Sequence, residues 1–262
     1  EIIPFKIDSY SKLGFTFKSL FFLRNAIKKH KPDAVLSFGE TYNSFVLFGL
    51  LGCRVKIFIS DRSRPDKDWG AFHNFLRKYL YRSAAGIIAQ TSIAKDFIFK
   101  ITGHKNICTI GNPIKSHSET QKERDNYILT VSRLIKSKNV DYLIDLFADS
   151  KTEGWQLFII GDGPEMEYLK KYSSERGLCE RVKFKGMIEN VQKYYQKSKI
   201  FLFASESEGF PNALAEAMSF SLPSIAYNCI AGPSDLIEDG VNGYLVPLNN
   251  KVEYKEKFAA LL

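Results

Sequence analysis

Two carboxylates stand eight residues apart in the string Glu208-Gly209-Phe210-Pro211-Asn212-Ala213-Leu214-Ala215-Glu216. A Gly-Phe-Pro turn separates them, and a strand-like apolar run, Ile200-Phe201-Leu202-Phe203-Ala204, comes just before. Pro211 suits a first helical turn, and the residues from Ala213 to Met218 are strong helix formers. This predicts Glu208 on the loop at the C-terminal end of a strand, with Glu216 a turn or two into a helix. That end of a parallel sheet is where α/β folds bind ligands. One acid there can accept hydrogen bonds from sugar or ribose hydroxyls while the helix N-terminus faces a phosphate. The spacing alone fits a solvated helix face equally well; the whole nine-residue string carries the weight.

A second set of groups is cationic. Arg133, in Val131-Ser132-Arg133-Leu134, and Lys138 follow the strand-like run from Tyr127 to Val131. Arginine offers a planar fork to two oxygens and lysine a point charge, and both stabilise negative charge growing on a departing diphosphate. Ile159-Ile160-Gly161-Asp162-Gly163-Pro164 reads as a strand, a Gly-rich turn and a helix start. It is too short for the G-x-G-x-x-G dinucleotide fingerprint, so it does not indicate NAD. Ser60-Asp61-Arg62-Ser63-Arg64-Pro65 follows another strand. Its Arg62 and Arg64, with Lys67, read equally as a phosphate contact or as a basic surface loop.

Taken together and in this order, the motifs resemble the family-4 retaining glycosyltransferases, whose E-x7-E signature has the form of residues 208–216. The resemblance covers most of the chain and is strongest from Tyr127 to Val246. It implies a GT-B fold: α/β, with two Rossmann-like doubly wound domains facing a cleft. Relative to that pattern the first domain is expected to be N-terminally incomplete and the C-terminal crossover helix to be missing. By the same resemblance Glu208 faces the donor sugar, Glu216 the ribose hydroxyls, and Arg133 and Lys138 the diphosphate. Gly161 lies along the nucleotide, and Met187, in Lys185-Gly186-Met187, passes its backbone beside the base. Gly209 and Phe210, with the amides near Asn212, Ala213 and Leu214, complete the donor site.

Such enzymes move a hexose or N-acetylhexosamine from a nucleotide diphosphate sugar, here UDP-linked, with retention of configuration. The departing phosphate oxygen takes the acceptor's proton, so no separate nucleophile–base pair is needed. No metal or other cofactor is implied. The implied acceptor is a glycan on a polyprenyl diphosphate, at the cytoplasmic face of a bacterial membrane, in lipopolysaccharide, capsule or similar assembly. Many relatives carry a histidine where this chain has Asp61 and Arg62, which leaves the first domain's share in catalysis open; Asp61, Arg62 and Arg64 are the candidate acceptor contacts. Two alternatives keep the fold: a nonhydrolysing sugar-nucleotide epimerase, and a paralogue that binds the donor without catalysis.

Composition narrows the choice further. The 262 residues are 45% hydrophobic and 25% charged, as expected for a globular protein of one large or two ordinary domains. Residues 1–115 hold 19 Lys and Arg against 8 Asp and Glu, and residues 116–262 hold 18 against 21. The basic first half predicts an anionic partner, such as a lipid diphosphate or an anionic membrane face. No nucleic-acid module is recognisable, and the acidic second half argues against nucleic acid. No run reaches the roughly 18 apolar residues of a membrane span; the basic first half and the resemblance together imply a peripheral place at the inner face of the cell membrane. Cys53, Cys108, Cys179 and Cys229 show no metal-type spacing and are expected to be buried thiols.

Strand-like and helix-like segments alternate along the whole chain, the signature of parallel sheets. The polar stretch from Lys115 to Asn126 reads as a linker, which predicts a first domain over 1–115 and a donor-binding domain over 116–262. Two basic aromatic helices are expected in the first half, one from Phe15 to Lys31 and one around Trp69, Phe72, Phe75 and Tyr79. Their aromatics at helical spacing are expected to be core, with docking at an anionic lipid surface as the alternative.

Overall fold

The computed structural model describes residues 12–115 and 123–262, with only the backbone of Lys12, Leu13 and Phe15. The chain folds into two compact units that divide between Gly111 and Asn112. The expected boundary at 115/116 lies just beyond that division; most of the polar linker falls outside the described residues.

The first unit runs α1 (Lys12–His30), β1 (Ala34–Phe38), α2 (Glu40–Gly49), β2 (Lys56–Ser60), α3 (Ala71–Leu80), β3 (Gly86–Ala89), α4 (Ser92–Thr102) and β4 (Ile107–Thr109). Its sheet has the order β1-β2-β3-β4, parallel throughout. Leu47, Ile59, Tyr81, Ile87 and Ile98 form the centre of its core. The expectation that the helical aromatics are core is overturned. Phe17 and Phe21 on α1 are 70% and 69% exposed, and Phe72, Phe75 and Tyr79 on α3 are exposed too. The reason is phase. At 3.6 residues per turn, α1 turns Leu23 and Ile27 inward. Positions 72, 75 and 79 share the face of α3 opposite to the buried Arg77. Among the cysteines, all free thiols, Cys229 is buried as expected, whereas Cys53 is half-buried and Cys108 and Cys179 are exposed.

The second unit runs β5 (Tyr127–Val131), α5 (Val140–Ala148), β6 (Gln156–Ile160), α6 (Met166–Glu175), β7 (Val182–Gly186), α7 (Gln192–Lys197) and β8 (Ile200–Phe203). It continues with α8 (Asn212–Ser219), β9 (Ser224–Asn228), α9 (Pro233–Leu236), β10 (Tyr244–Pro247) and α10 (Lys251–Leu261). The six strands are parallel in the order β10-β9-β8-β5-β6-β7. Alternate residues of β8 enter opposite cores, Ile200 and Leu202 on one face and Phe201 and Phe203 on the other. A strand buried on both faces needs this continuous apolar run rather than an alternating one.

The strand order reverses at β5, which pairs with β6 on one side and β8 on the other. Successive crossovers therefore leave β5 and β8 toward opposite halves of the sheet. The crevice this opens at their C-terminal ends is the ligand position of open α/β sheets. Arg133 and Lys138 follow β5, and Glu208 follows β8.

Candidate active site

Main-chain hydrogen bonds lace the loops after β5, β6 and β7 together. Ser132 N donates to Ile160 O (3.0 Å), Leu134 N to Asp162 O (2.9 Å), Glu165 N to Leu134 O (3.1 Å) and Gly161 N to Gly186 O (2.9 Å). This approach leaves no room for side chains. A Cβ on Gly161 would lie 1.8 Å from Ser132 O, and one on Gly163 2.3 Å from Leu134 O. Gly161 also sits at φ +130°, where other residues are strained. The Gly-Asp-Gly turn is thus a frame for the neighbouring loop.

Past Arg133 the chain forms a 3-10 turn, Lys136–Lys138, and then Asn139 in the left-handed region at φ 49°. Asn139 Nδ2 donates to Ala204 O (3.2 Å) and Glu206 Oε1 (3.0 Å), while Glu206 N donates to Ser137 O (2.9 Å). These bonds dock the turn on the loop after β8. Lys138 Nζ consequently meets Glu208 Oε1 at 2.5 Å and Ser205 Oγ at 3.1 Å. The two side chains are 14% and 15% exposed. Cys229 lies within electrostatic reach of them: burial pushes its thiol up to about 12, Glu208 adds to the rise and Lys138 opposes it. Arg133 differs from Lys138. It is exposed, and its side chain makes no hydrogen bond or ion pair among the described residues.

Pro211 stands at the N-cap of α8, one residue earlier than a first-turn proline, with no side chain capping the helix. Asn212 N donates to Phe210 O and Ala215 N to Pro211 O. The Ala213 and Leu214 amides have no partner among the described residues, leaving the partial positive charge of the helix start open. Leu214 is wholly buried, so its amide alone can contribute. Gly209 and Phe210 are half-buried, and Asn212 is exposed. Asn212 Oδ1 accepts from Asn112 Nδ2 at 2.7 Å, a partner that sequence reading did not assign.

Glu216 follows in the second turn of α8. Tyr195 Oη lies 3.1 Å from Glu216 Oε2 and 3.3 Å from Ala213 O, two acceptors sharing one proton. Burial, and then the Glu216 carboxylate, push the Tyr195 phenol above its ordinary value. Beside this pair is a cavity of about 240 Å³ lined by Lys115, Glu189, Gln192, Tyr195, Glu216 and Phe220, among others. Met187, 85% exposed, follows Gly186 at φ +64°.

The first-unit residues behave differently. Asp61 is 5% exposed and inward-facing. Its Oδ1 accepts from Asn43 Nδ2 (3.0 Å) and Tyr81 Oη (2.7 Å), and its Oδ2 from Arg77 (2.6 Å). Both oxygens are occupied, so Asp61 holds its own unit together instead of meeting an acceptor. Arg62 is exposed with its guanidinium 4.8 Å from the Phe38 ring centroid, and Arg64 forms a two-bond pair with Asp66. Buried Glu40, also unassigned from sequence, takes the amides of Arg62 (3.1 Å) and Ser63 (2.8 Å) and shapes this loop. An Asp-x-Asp string, Asp66-Lys67-Asp68, lies here too. Asp66 pairs with Arg64, and Asp68 accepts from Gly70 N and Asn74, bonds that hold its carboxyl below the usual range.

The structure thus brings Lys138 and Glu208 into contact, frames the Arg133 loop with Gly161, and carries Glu216 on the helix whose open N-terminus follows Glu208. Comparison with known proteins gives the family. The family model described as glycosyl transferases group 1 matches residues 112–262, the whole second unit. The lipopolysaccharide 1,6-galactosyltransferase of Escherichia coli K12 is 36% identical over 252 residues, which are 89% of this chain and 67% of that protein. A Campylobacter jejuni α-1,4-N-acetyl-D-galactosaminyltransferase, named for an undecaprenol-diphosphate-linked GalNAc acceptor, is 29% identical over 98% of this chain and 73% of its own length. Among solved structures, the pneumococcal O-GlcNAc transferase GtfA in complex with UDP and GlcNAc superposes with a TM-score of 0.76 at 24% identity, over 93% of this chain. The chain spans about half the length of that structure, 53%. The fold is GT-B, and the chain belongs to the glycosyl transferases group 1 family.

Proposed function

We propose that the protein transfers a hexose or N-acetylhexosamine, with retention, from a UDP-linked sugar to a glycan carried on a polyprenyl diphosphate. The observation that supports this reading is the switch-point crevice, with Lys138 and the exposed Arg133 on the segment after β5, Glu208 paired to Lys138 on the loop after β8, and the open start of α8 following Glu208. The diphosphate takes the charge of Arg133 and Lys138 and the amides of Ala213 and Leu214. Glu208 faces the sugar, and Glu216, aligned by Tyr195, accepts from the ribose hydroxyls. The sugar C1–phosphate oxygen bond breaks as negative charge grows on the diphosphate, which these cations stabilise. The acceptor oxygen bonds to C1 on the same face, and its proton passes to the departing phosphate oxygen. Arg133 and Lys138 fill the place a metal ion would take, so the reaction is proposed to run without one.

The support for the acceptor and the location is the basic first half and the exposed aromatics of α1 and α3, which suit an anionic membrane face. Among the described residues no helix is long and apolar enough to cross a membrane. The epimerase alternative needs acid/base carboxylates and histidines around the sugar, and residues 123–262 contain no histidine.

Calorimetric titration with UDP and GDP, repeated on Glu216→Ala and Arg133→Ala, tests the reading. Binding of UDP that both substitutions weaken by about tenfold or more is expected, since each removes a charge-assisted contact. No binding of either nucleotide to the unsubstituted chain sinks it.

A further inference from the structure

Arg124 makes contacts that the donor reading does not use. Its NH1 donates to Ser198 O at 2.9 Å, and its NH2 to Phe220 O at 2.6 Å and Ser221 O at 3.3 Å. Ser198 is the C-cap of α7 and Phe220 the C-cap of α8. One guanidinium therefore closes the carbonyl ends of two helices, where cations are favoured by both the unpaired carbonyls and the helix dipoles. Arg124 pairs with no carboxylate among the described residues; its counter-charge is the two helix ends.

These two helices carry the residues that meet at the nucleotide end of the site. Tyr195 is on α7 and Glu216 on α8, joined at 3.1 Å. Tyr195 also stacks on Phe220, with ring centroids 5.5 Å apart and planes at 16°, and Phe220 O is an Arg124 acceptor. The next residue is held to the same end of α7, with Asp125 N donating to Lys197 O at 2.9 Å. At the other end of α8, Asn112 holds Asn212, and Lys115 lines the cavity with Tyr195, Glu216 and Phe220. Asn112 and Arg124 thus bond α8 at its two ends.

We propose that Arg124 is a positioning residue for the nucleotide end of the donor site, fixing the relative placement of α7 and α8 so that Tyr195 aligns Glu216. This rests on the donor reading above. Arg124 touches no substrate and acts through the Tyr195–Glu216 pair.

The test is UDP titration of the chain and of Arg124→Ala and Arg124→Lys, each with and without Tyr195→Phe. Amide hydrogen exchange of α7 and α8 is followed in parallel. Coupled residues show non-additive effects. Arg124→Ala is expected to weaken UDP binding about tenfold when Tyr195 is present and less than about twofold in the Tyr195→Phe background. Arg124→Lys, which keeps a cation at the helix ends, is expected to recover most of the affinity. A purely structural role predicts the same loss in both backgrounds, and that result overturns the proposal. So does an unchanged affinity in Arg124→Ala. If Arg124→Ala fails to fold, Arg124→Lys in the two backgrounds makes the same comparison. If the unsubstituted chain binds no nucleotide, the donor reading falls and exchange decides the strap alone. Faster exchange across 192–198 and 212–221, with 156–160 unchanged, supports it; no change in those segments overturns it.

Discussion

Removing Lys138 should reveal how strongly Glu208 depends on it. An exposed ion pair contributes about 0–1 kcal/mol, whereas deleting one partner of a fully buried pair costs about 3–5 kcal/mol. At 14% and 15% exposure, with Ser205 as a third member, the pair lies between these limits and nearer the second. Lys138→Met leaves a mostly buried carboxylate with no counter-charge, and about 2–3 kcal/mol of stability should be lost. Glu208→Gln should cost less, about 1–2 kcal/mol, because Lys138 keeps Ser205 and its long stem can lead the charge toward water. The double variant leaves no buried charge, so its cost should be about 1–2 kcal/mol, well below the combined cost of the singles. Urea unfolding of all four proteins measures the coupling, at low and at high salt. The coupling should survive high salt, since buried pairs are weakly screened. Additivity to within about 0.5 kcal/mol would refute the reasoning, because each residue would then be contributing on its own.

Gly161→Ala places a methyl group 1.8 Å from Ser132 O at a φ of +130°. It should lose about 1–3 kcal/mol of stability, and displacing the Ser132–Arg133 loop should weaken UDP binding as well; a thermal melt and a titration read the two effects. With its thiol held up at about 12, Cys229 should resist alkylation near neutral pH, while Cys108 and Cys179 react; peptide mass spectrometry distinguishes them. Burial raises Asp61 above its ordinary value by more than the neighbouring Arg77 lowers it. The folded state therefore holds that proton more tightly than the unfolded chain. The associated stability is full below the unfolded value and is lost as pH rises through the folded one. Asp61→Asn should remove this part of the decline from about pH 4 upward, visible as a flatter plot of urea midpoint against pH; an unchanged slope would show that Asp61 does not titrate there.

Much of the second unit was legible in the chain because its strands are buried on both faces and announce themselves as apolar runs. The strand from Tyr127 to Val131 falls where its pattern places it. The acids, cations and Gly-rich turn could be read because each sits at the end of such a run. Their partners could not. Tyr195 is separated from Glu216 by 21 positions, and Asn112 from Asn212 by 100. Nothing local marks either tyrosine or asparagine as special. Asp61 misled for a related reason: a charged residue after a strand looks outward until Asn43, Arg77 and Tyr81 close around it. Helical spacing shows that Phe72, Phe75 and Tyr79 share a face, but says nothing about which way that face points. Short α9, four residues long, left no periodic signal and was not anticipated.

The lacing of the loops after β5, β6 and β7 is made by backbone atoms, apart from the two glycines that permit it. Backbone bonds are indifferent to most changes of side chain. The rim of the crevice is thus a chassis on which positions such as 133 and 187 can be exchanged without dismantling their supports. Substitutions at those positions would change the side chains presented at the rim while leaving the backbone bonds that hold it in place. Gly161 and Gly163, by contrast, have almost no freedom to vary.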